Sequence, residues 1–286
     1  MLHNKFLSIL VIASITISCT NAKKESQSKT TDSTLSTTNQ IILKSEINWE
    51  SLNPARGDQS PKAGTIWGNR NGSEPTGFLA EFKDGFSSPP HIHNVTYRAI
   101  VINGLIHNNH PNAKEMWMPN GSFWTQPAGE PHITAAKGDK SIIAYVEIDK
   151  SPYLVKPIKD SFDSRERPIN LDRSNIVWLD ASKTRLVKDK SNAKIAFLWA
   201  SDTLRGNLIK LPPKFQGKII SNGTIFRAIT IQGETKYQVP NQEEVKILEP
   251  GSYFSSNGES IHKISSSDTE ESIIYIRTND NFIITE

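Results

Sequence analysis

From Ile41 onward the apolar residues come in short runs of Ile, Val, Phe, Trp and Tyr, broken by Gly, Pro, Asn and Asp. Gly77 to Phe82, Tyr97 to Asn103, Ser141 to Ile148, Arg227 to Gln232 and Ser272 to Arg277 are of strand length, and no stretch sustains a helical period. That spacing predicts an all-β chain of many short strands separated by turns. Before Ile41 the pattern differs. Thr20 to Gln40 is Ser, Thr, Lys, Asn and Gln with hardly an apolar side chain, too polar to bury a core. As a flexible coil it would hold the folded strands on the order of 25 Å from the residues before Thr20.

The second half of the pattern repeats the first. Ile47-Asn48-Trp49 returns as Ile176-Val177-Trp178, and Tyr97-Arg98-Ala99-Ile100-Val101-Ile102-Asn103-Gly104 returns as Phe226-Arg227-Ala228-Ile229-Thr230-Ile231-Gln232-Gly233. Gly121-Ser122-Phe123 matches Gly251-Ser252-Tyr253, and His132 matches His262. The spacing between copies drifts by a single residue, so a duplicated unit is expected, each copy folding alike. Pro152, Pro157 and Pro168, with the charges from Asp163 to Arg167, read as the connector. The organisation expected is 1–19, 20–40, 41–164 and 165–286.

Composition changes the picture at two points. A net charge of +3, with basic and acidic residues interspersed, leaves no footprint for nucleic acid. The single cysteine, Cys19, excludes an internal disulfide. It follows Lys5 and the apolar run Phe6 to Ile17, which has the length of a signal-peptide core. Thr16-Ile17-Ser18-Cys19 resembles the lipobox of bacterial lipoproteins, with Thr16 in place of the usual leucine. That resemblance implies a signal peptide over 1–19, lipidation of Cys19, a tether over 20–40 and a lipid-anchored place in the bacterial cell envelope, periplasmic or at the outer membrane.

Candidate chemistry lies between Gly85 and Ala136. His91 and His93 alternate in a run of strand formers, so both imidazoles should leave one face. His132 enters after Gln126-Pro127-Ala128-Gly129, a turn that opens a new strand. Three neutral nitrogens suit zinc, iron, nickel or copper better than calcium or magnesium. Gln126 reads as a hydrogen-bond donor at the rim or as turn chemistry, and Glu130 as a carboxylate for the site or as a turn cap. Trp67, Trp117 and Trp124 are candidates for the cavity wall or the core. Arg98 should point away from Tyr97, and His107 and His110 lie beyond Gly104 as surface residues.

The spacing Gly85, His91-x-His93, Tyr97, Gly104 resembles the first motif of the cupin superfamily, with Tyr97 where the family has glutamate. Gly121, Pro127-x-Gly129, His132, Ala136 is similar to the second motif, with Ala136 in place of asparagine. Within cupins the wording looks like a group of bacterial bicupins of unknown function, distantly similar to the zinc-binding cupin domain of an anti-sigma factor. The resemblance implies tandem jelly-roll barrels. It also implies one divalent transition metal, zinc or iron foremost, on His91, His93 and His132. In the second copy the same columns, taken without a gap, read Ile220, Asn222 and His262, which is a degenerate site.

With neutral ligands only, the ion would keep its charge and favour a small anionic ligand, with Tyr97 orienting it or donating a proton. The resemblance leaves two functions open. One is an anion-binding metal centre with dioxygenase-like activity, and the other a non-catalytic sensor with structural zinc. A homodimer is compatible with either.

Overall fold

The computed structural model describes residues 38–286, so the expected signal segment, Cys19 and all but the last three residues of the expected tether lie outside the described residues. The described chain is built of strands joined by turns and short 3-10 segments. It forms two jelly-roll units, each a large sheet facing a smaller one.

In the first unit, the large sheet runs in the order Ile169–Leu171, Phe123–Gln126, Tyr97–Asn103, Ile142–Ile148, Thr76–Phe82, Lys62–Trp67, Trp49–Ser51. The second unit repeats this with Thr38–Ile42, Tyr253–Asn257, Phe226–Gln232, Ser272–Thr278, Arg205–Leu211, Lys194–Ala200. The duplication read from the sequence is therefore a duplication of architecture.

The first strand of each copy sits on the other barrel. Thr38–Ile42 pairs with Tyr253–Asn257 of the second unit, whereas Ile169–Leu171 pairs with Phe123–Gln126 of the first. The exchange is reciprocal in detail, since Lys44 N–H donates to Ser252 Oγ at 3.1 Å and Arg173 N–H donates to Ser122 Oγ at 3.0 Å. Two expectations are corrected by it. Thr38, Asn39 and Gln40 are strand and not tether, because they continue a strand whose Ile41 and Ile42 pack against the apolar clusters and whose backbone joins the ladder of Tyr253–Asn257. The stretches 41–164 and 165–286 also do not close on themselves, because each completes its large sheet with a strand from outside that stretch or from its partner.

Several strands read as continuous apolar runs because both of their faces are covered. Every residue of Ile142–Ile148 is buried. Ile142, Ala144, Val146 and Ile148 face the interior of the first barrel, while Ile143 and Tyr145 join a second cluster with Ile229, Tyr253, Ile273 and Tyr275 of the other unit. Ile274 and Ile276 point into the second barrel with Phe226, Phe254 and Phe282. Three apolar clusters result, one inside each barrel and one between them, so period two assigns alternate residues to different cores.

The seam between the units also holds charge. Glu147 and Arg277, with side chains 1% and 2% exposed, meet at 3.2 Å. Glu147 also accepts from Tyr145 Oη at 3.0 Å and Tyr275 Oη at 2.7 Å. Asp149 accepts from Arg277 at 2.6 Å and from Arg98 at 2.8 Å. Burial alone would depress the Arg277 guanidinium, but Glu147 and Asp149 outweigh it and hold it charged. Arg98 thus points away from Tyr97 into this seam, lying over the Trp199 ring at 3.8 Å, and Trp67 belongs here too, donating to Tyr145 Oη at 3.1 Å.

Candidate metal centre

His91–His93 is a three-residue strand whose residues are all buried. It is fixed on two sides. His91 and His132 bond to each other's backbone, N–H to O at 3.0 and 2.9 Å, and the connector strand Val155–Pro157 covers the other edge, Val155 opposite His93. Gly129 N–H donates to the His93 carbonyl at 2.9 Å. Gly129 has φ of 77°, and a Cβ there would collide with the Phe162 carbonyl, so the turn before His132 requires glycine.

These constraints bring the three histidines together. Their ring centroids lie 4.2 to 5.1 Å apart, and one ligand atom from each falls within 4.8 Å of the others. Each Nδ1 faces a backbone carbonyl: Pro89 at 2.8 Å for His91, Leu154 at 3.2 Å for His93 and Glu130 at 3.2 Å for His132. An Nδ1–H donated to a carbonyl puts the lone pair on Nε2, the arrangement that prepares histidine as a metal ligand.

Burial lowers all three pKa values, His132 to about 3 with His91 adding to the effect, and His93 further through His132 and His91. The rings are therefore neutral. His132 Nε2 is buried with no hydrogen-bond partner, an orphan acceptor that a cation would satisfy. The donor set and this orphan atom fit a divalent transition metal.

The other sequence candidates fall in distinct places. Tyr97 is buried beside His93, ring centroids 5.3 Å apart, but its hydroxyl donates to Asn108 Oδ1 at 2.9 Å. Its pKa is pushed up to about 12 by burial, with Trp124, Thr134 and Asn108 pulling the other way. Asn108 Nδ2 donates to Gln126 Oε1 at 2.9 Å, and Gln126 Nε2 to the Glu130 carbonyl at 3.0 Å. Gln126 and Glu130 thereby orient His132 through the backbone of Glu130. The Glu130 carboxylate is outside the group of metal-capable atoms. Of the tryptophans, Trp124 lines the cavity above the histidines, and Trp117 lies outside it against Lys137. His107 is buried, not a surface residue, with Nδ1 against the Met116 backbone.

Sequence reasoning missed Tyr153. It lies in the Pro-flanked connector, half-buried, its ring stacked on His93 at 4.2 Å and its hydroxyl 3.0 Å from His93 Nε2. Burial raises its pKa well above the ordinary value, with Tyr97 adding, so the phenol is neutral. The signal available was the apolar Tyr153-Leu154-Val155 inside a segment whose prolines suggested only a linker.

In the second barrel the register corrects one expectation. Ile219 pairs with His262, so Ile219 and Ser221, both buried, stand where His91 and His93 stand in the first barrel. Asn222 is exposed and Ile220 only half-buried. A gap-free alignment is off by one residue here, and in a strand one residue changes the face. The conclusion that two of the three ligand positions are lost is unchanged. His262 is enclosed by Tyr237 Oη at 2.8 Å, Ser256 Oγ at 3.1 Å and the stacked Phe226 ring at 4.6 Å.

Burial pushes the His262 pKa down to about 3 from 6.5, so below pH 6.5 the unfolded chain takes up a proton that the folded chain refuses. The stability tied to this residue is complete above pH 6.5 and falls by about 1.4 kcal/mol per pH unit as pH drops toward 3. Urea titrations of His262→Gln should show the slope of unfolding free energy against pH reduced by about one proton between about pH 6 and 4.5. A slope equal to that of the unsubstituted chain would contradict this.

Above the histidines a cavity of about 480 Å³ opens, lined by His91, His93, Tyr97, Trp124 and Tyr153 at its base. Phe78, Phe82 and Phe86 form its walls.

Comparison with known proteins agrees with this architecture. Residues 40–285 match the family model described as "Domain of unknown function (DUF4437)". No curated protein sequence matches the chain. Among solved structures, a protein of Nostoc punctiforme PCC 73102 provisionally named a dioxygenase aligns with a TM-score of 0.65 at 14% identity, over 85% of this chain and 83% of that one. The formate complex of Lactobacillus farciminis oxalate decarboxylase aligns at 0.57 and 11% identity, over 87% and 88%. The 7S globulin of Momordica charantia aligns at 0.55 and 9%, over 86% of each chain. At such identities the likeness concerns the fold, and the fold is that of the two-barrel cupins.

Proposed function

The chain belongs to the DUF4437 family, and we propose that its first barrel binds one divalent transition metal, zinc or iron, on His91, His93 and His132 and presents it to a small anionic ligand. The observation that carries this reading is that His91 and His93 of the histidine cluster line a cavity of about 480 Å³ and that, among the described residues, no carboxylate joins the cluster to close it. A structural zinc site is normally closed by four protein ligands, whereas a site that handles ligands keeps a position open. Tyr153, whose hydroxyl lies 3.0 Å from His93 Nε2, is a neutral phenol able to turn aside or to donate a hydrogen bond to a bound anion. The ion, when bound, supplies Lewis-acid stabilisation of ligand oxygens and, if iron, redox chemistry.

The chain's own residues do the remainder. The backbone carbonyls of Pro89, Leu154 and Glu130 keep the histidines in one tautomer, and the Tyr97, Asn108 and Gln126 network holds the base of the cavity. Dioxygenase-like turnover is part of this reading, in keeping with the name given to the Nostoc punctiforme neighbour. The sensor reading, with structural zinc, has the packed second barrel in its favour.

Elemental analysis of residues 20–286, purified without a histidine tag or added metal, tests the proposal. Near-stoichiometric iron is expected for an oxygenase and zinc for a hydrolase or sensor, while a chain that takes up neither refutes it. The reading includes delivery to the cell envelope on a lipid at Cys19, supported by the apolar run Phe6 to Ile17. Mass spectrometry of the mature chain should find it beginning at a lipidated Cys19, and an unmodified N-terminus elsewhere would refute that part.

A further inference from the structure

The cavity above the histidines has a definite chemical character. Its walls are Phe78, Phe82, Phe86, Val146, Ala80 and Ala144, and among the described residues no aspartate or glutamate lines it. The one permanently charged side chain among the lining residues is Arg56. Arg56 lies on the loop 52–61, which is tied shut at its neck: Leu52 N–H donates to the Pro61 carbonyl at 2.8 Å and Asn53 N–H to the buried Ser60 Oγ at 2.8 Å. Its guanidinium rests 5.1 Å from the centre of the Phe86 ring. Phe86 in turn packs on Phe82 with centroids 5.2 Å apart. A loop closed at its neck therefore holds a cation against the aromatic wall of the cavity that His91 and His93 also line.

We infer that this cavity takes an aromatic carboxylic acid, its ring among Phe78, Phe82 and Phe86 and its carboxylate on Arg56. The inference rests on the reading that the cavity is the ligand site of the proposed metal centre, and deepens it by naming the ligand class. A cationic ligand would meet Arg56 and no acid. A sugar or a phosphate would leave most of its polar groups facing phenyl rings, an uncompensated desolvation. A carboxylate matches the planar guanidinium fork, and an aromatic ring matches the wall beside it. The volume, about 480 Å³, lies within the range of small-molecule sites.

The test is calorimetric titration of the chelator-stripped chain with 3-phenylpropionate, 3-phenylpropionamide and propionate. The aromatic acid should bind about tenfold more tightly than its amide, as a charge-assisted contact implies, and propionate should not bind measurably. Arg56→Gln, at an exposed loop position, should bring the acid-to-amide ratio to about one, and Phe82→Ala should weaken acid and amide alike. Equal binding of acid and amide by the unsubstituted chain, tight binding of propionate, or an acid preference that survives Arg56→Gln would each overturn the inference. Because the titration needs no metal, its failure is separate from failure of the metal reading. Acid selectivity in a chain that takes up no metal would sink the latter and leave the former, and a metal-loaded chain without acid selectivity would do the reverse.

Discussion

His132→Ala is expected to bring the metal content from near one ion per chain to less than about a tenth, with affinity lowered by a factor on the order of a hundred or more, since two imidazoles hold a divalent ion far less firmly than three. The residue is fully buried, its Nδ1 held by the Glu130 carbonyl and its Nε2 without a partner. It therefore has little reason to be a histidine except to offer that nitrogen. His91→Ala should have the same effect, being anchored by Pro89 in the same manner. The control is built into the duplication. His262 occupies the corresponding place in the second barrel, with both ring nitrogens engaged by Tyr237 and Ser256, so His262→Gln should leave the metal content unchanged. Metal retained in His132→Ala, or lost equally in His262→Gln, would contradict the assignment when measured by elemental analysis beside a circular dichroism check of folding.

Glu147→Ala is expected to destabilise the protein by about 3–5 kcal/mol, the cost of leaving a buried charge without its partner. For a chain of this size that corresponds to roughly a 10 °C fall in Tm. The loss falls on the seam between the barrels. Arg277 would keep Asp149, but Tyr145 and Tyr275 would lose their common acceptor, and burial would penalise a guanidinium held between the Trp67 and Trp199 rings. Replacing both members, Glu147→Leu with Arg277→Met, should cost less than Glu147→Ala alone, because an apolar pair leaves no charge to solvate. Calorimetry of the two variants beside the unsubstituted chain checks this. A single variant within about 1 kcal/mol of the unsubstituted chain would show that water reaches the seam, as at an exposed ion pair.

Much of this molecule could be read from its sequence because its information is periodic. Alternation and turn residues announced strands, the repeat announced two like units, and His91, His93 and His132 came together as their spacing implied. What escaped the reading is what periodicity does not encode. The exchange of Thr38–Ile42 and Ile169–Leu171 between barrels is a matter of which sheet edge a short strand reaches, and its residues look alike in either place. Tyr153 was hidden because prolines mark where a chain turns and say nothing of what the next residue covers. Ile219 and Ser221 were misplaced by one position because the second copy has one more residue than the first between the lost ligand strand and the tyrosine-to-phenylalanine column at Phe226. Nothing in the strand pattern singles out Glu147 and Arg277, and only the packing of one barrel on the other puts them out of water.

The most direct measurement is anomalous diffraction from crystals of residues 20–286, collected above and below the absorption edge of the metal found by elemental analysis. A single edge-dependent peak within coordination distance of His91, His93 and His132, facing the cavity, is the result this account predicts. The absence of a peak there in metal-loaded crystals, or a peak placed in the second barrel beside His262, would contradict it.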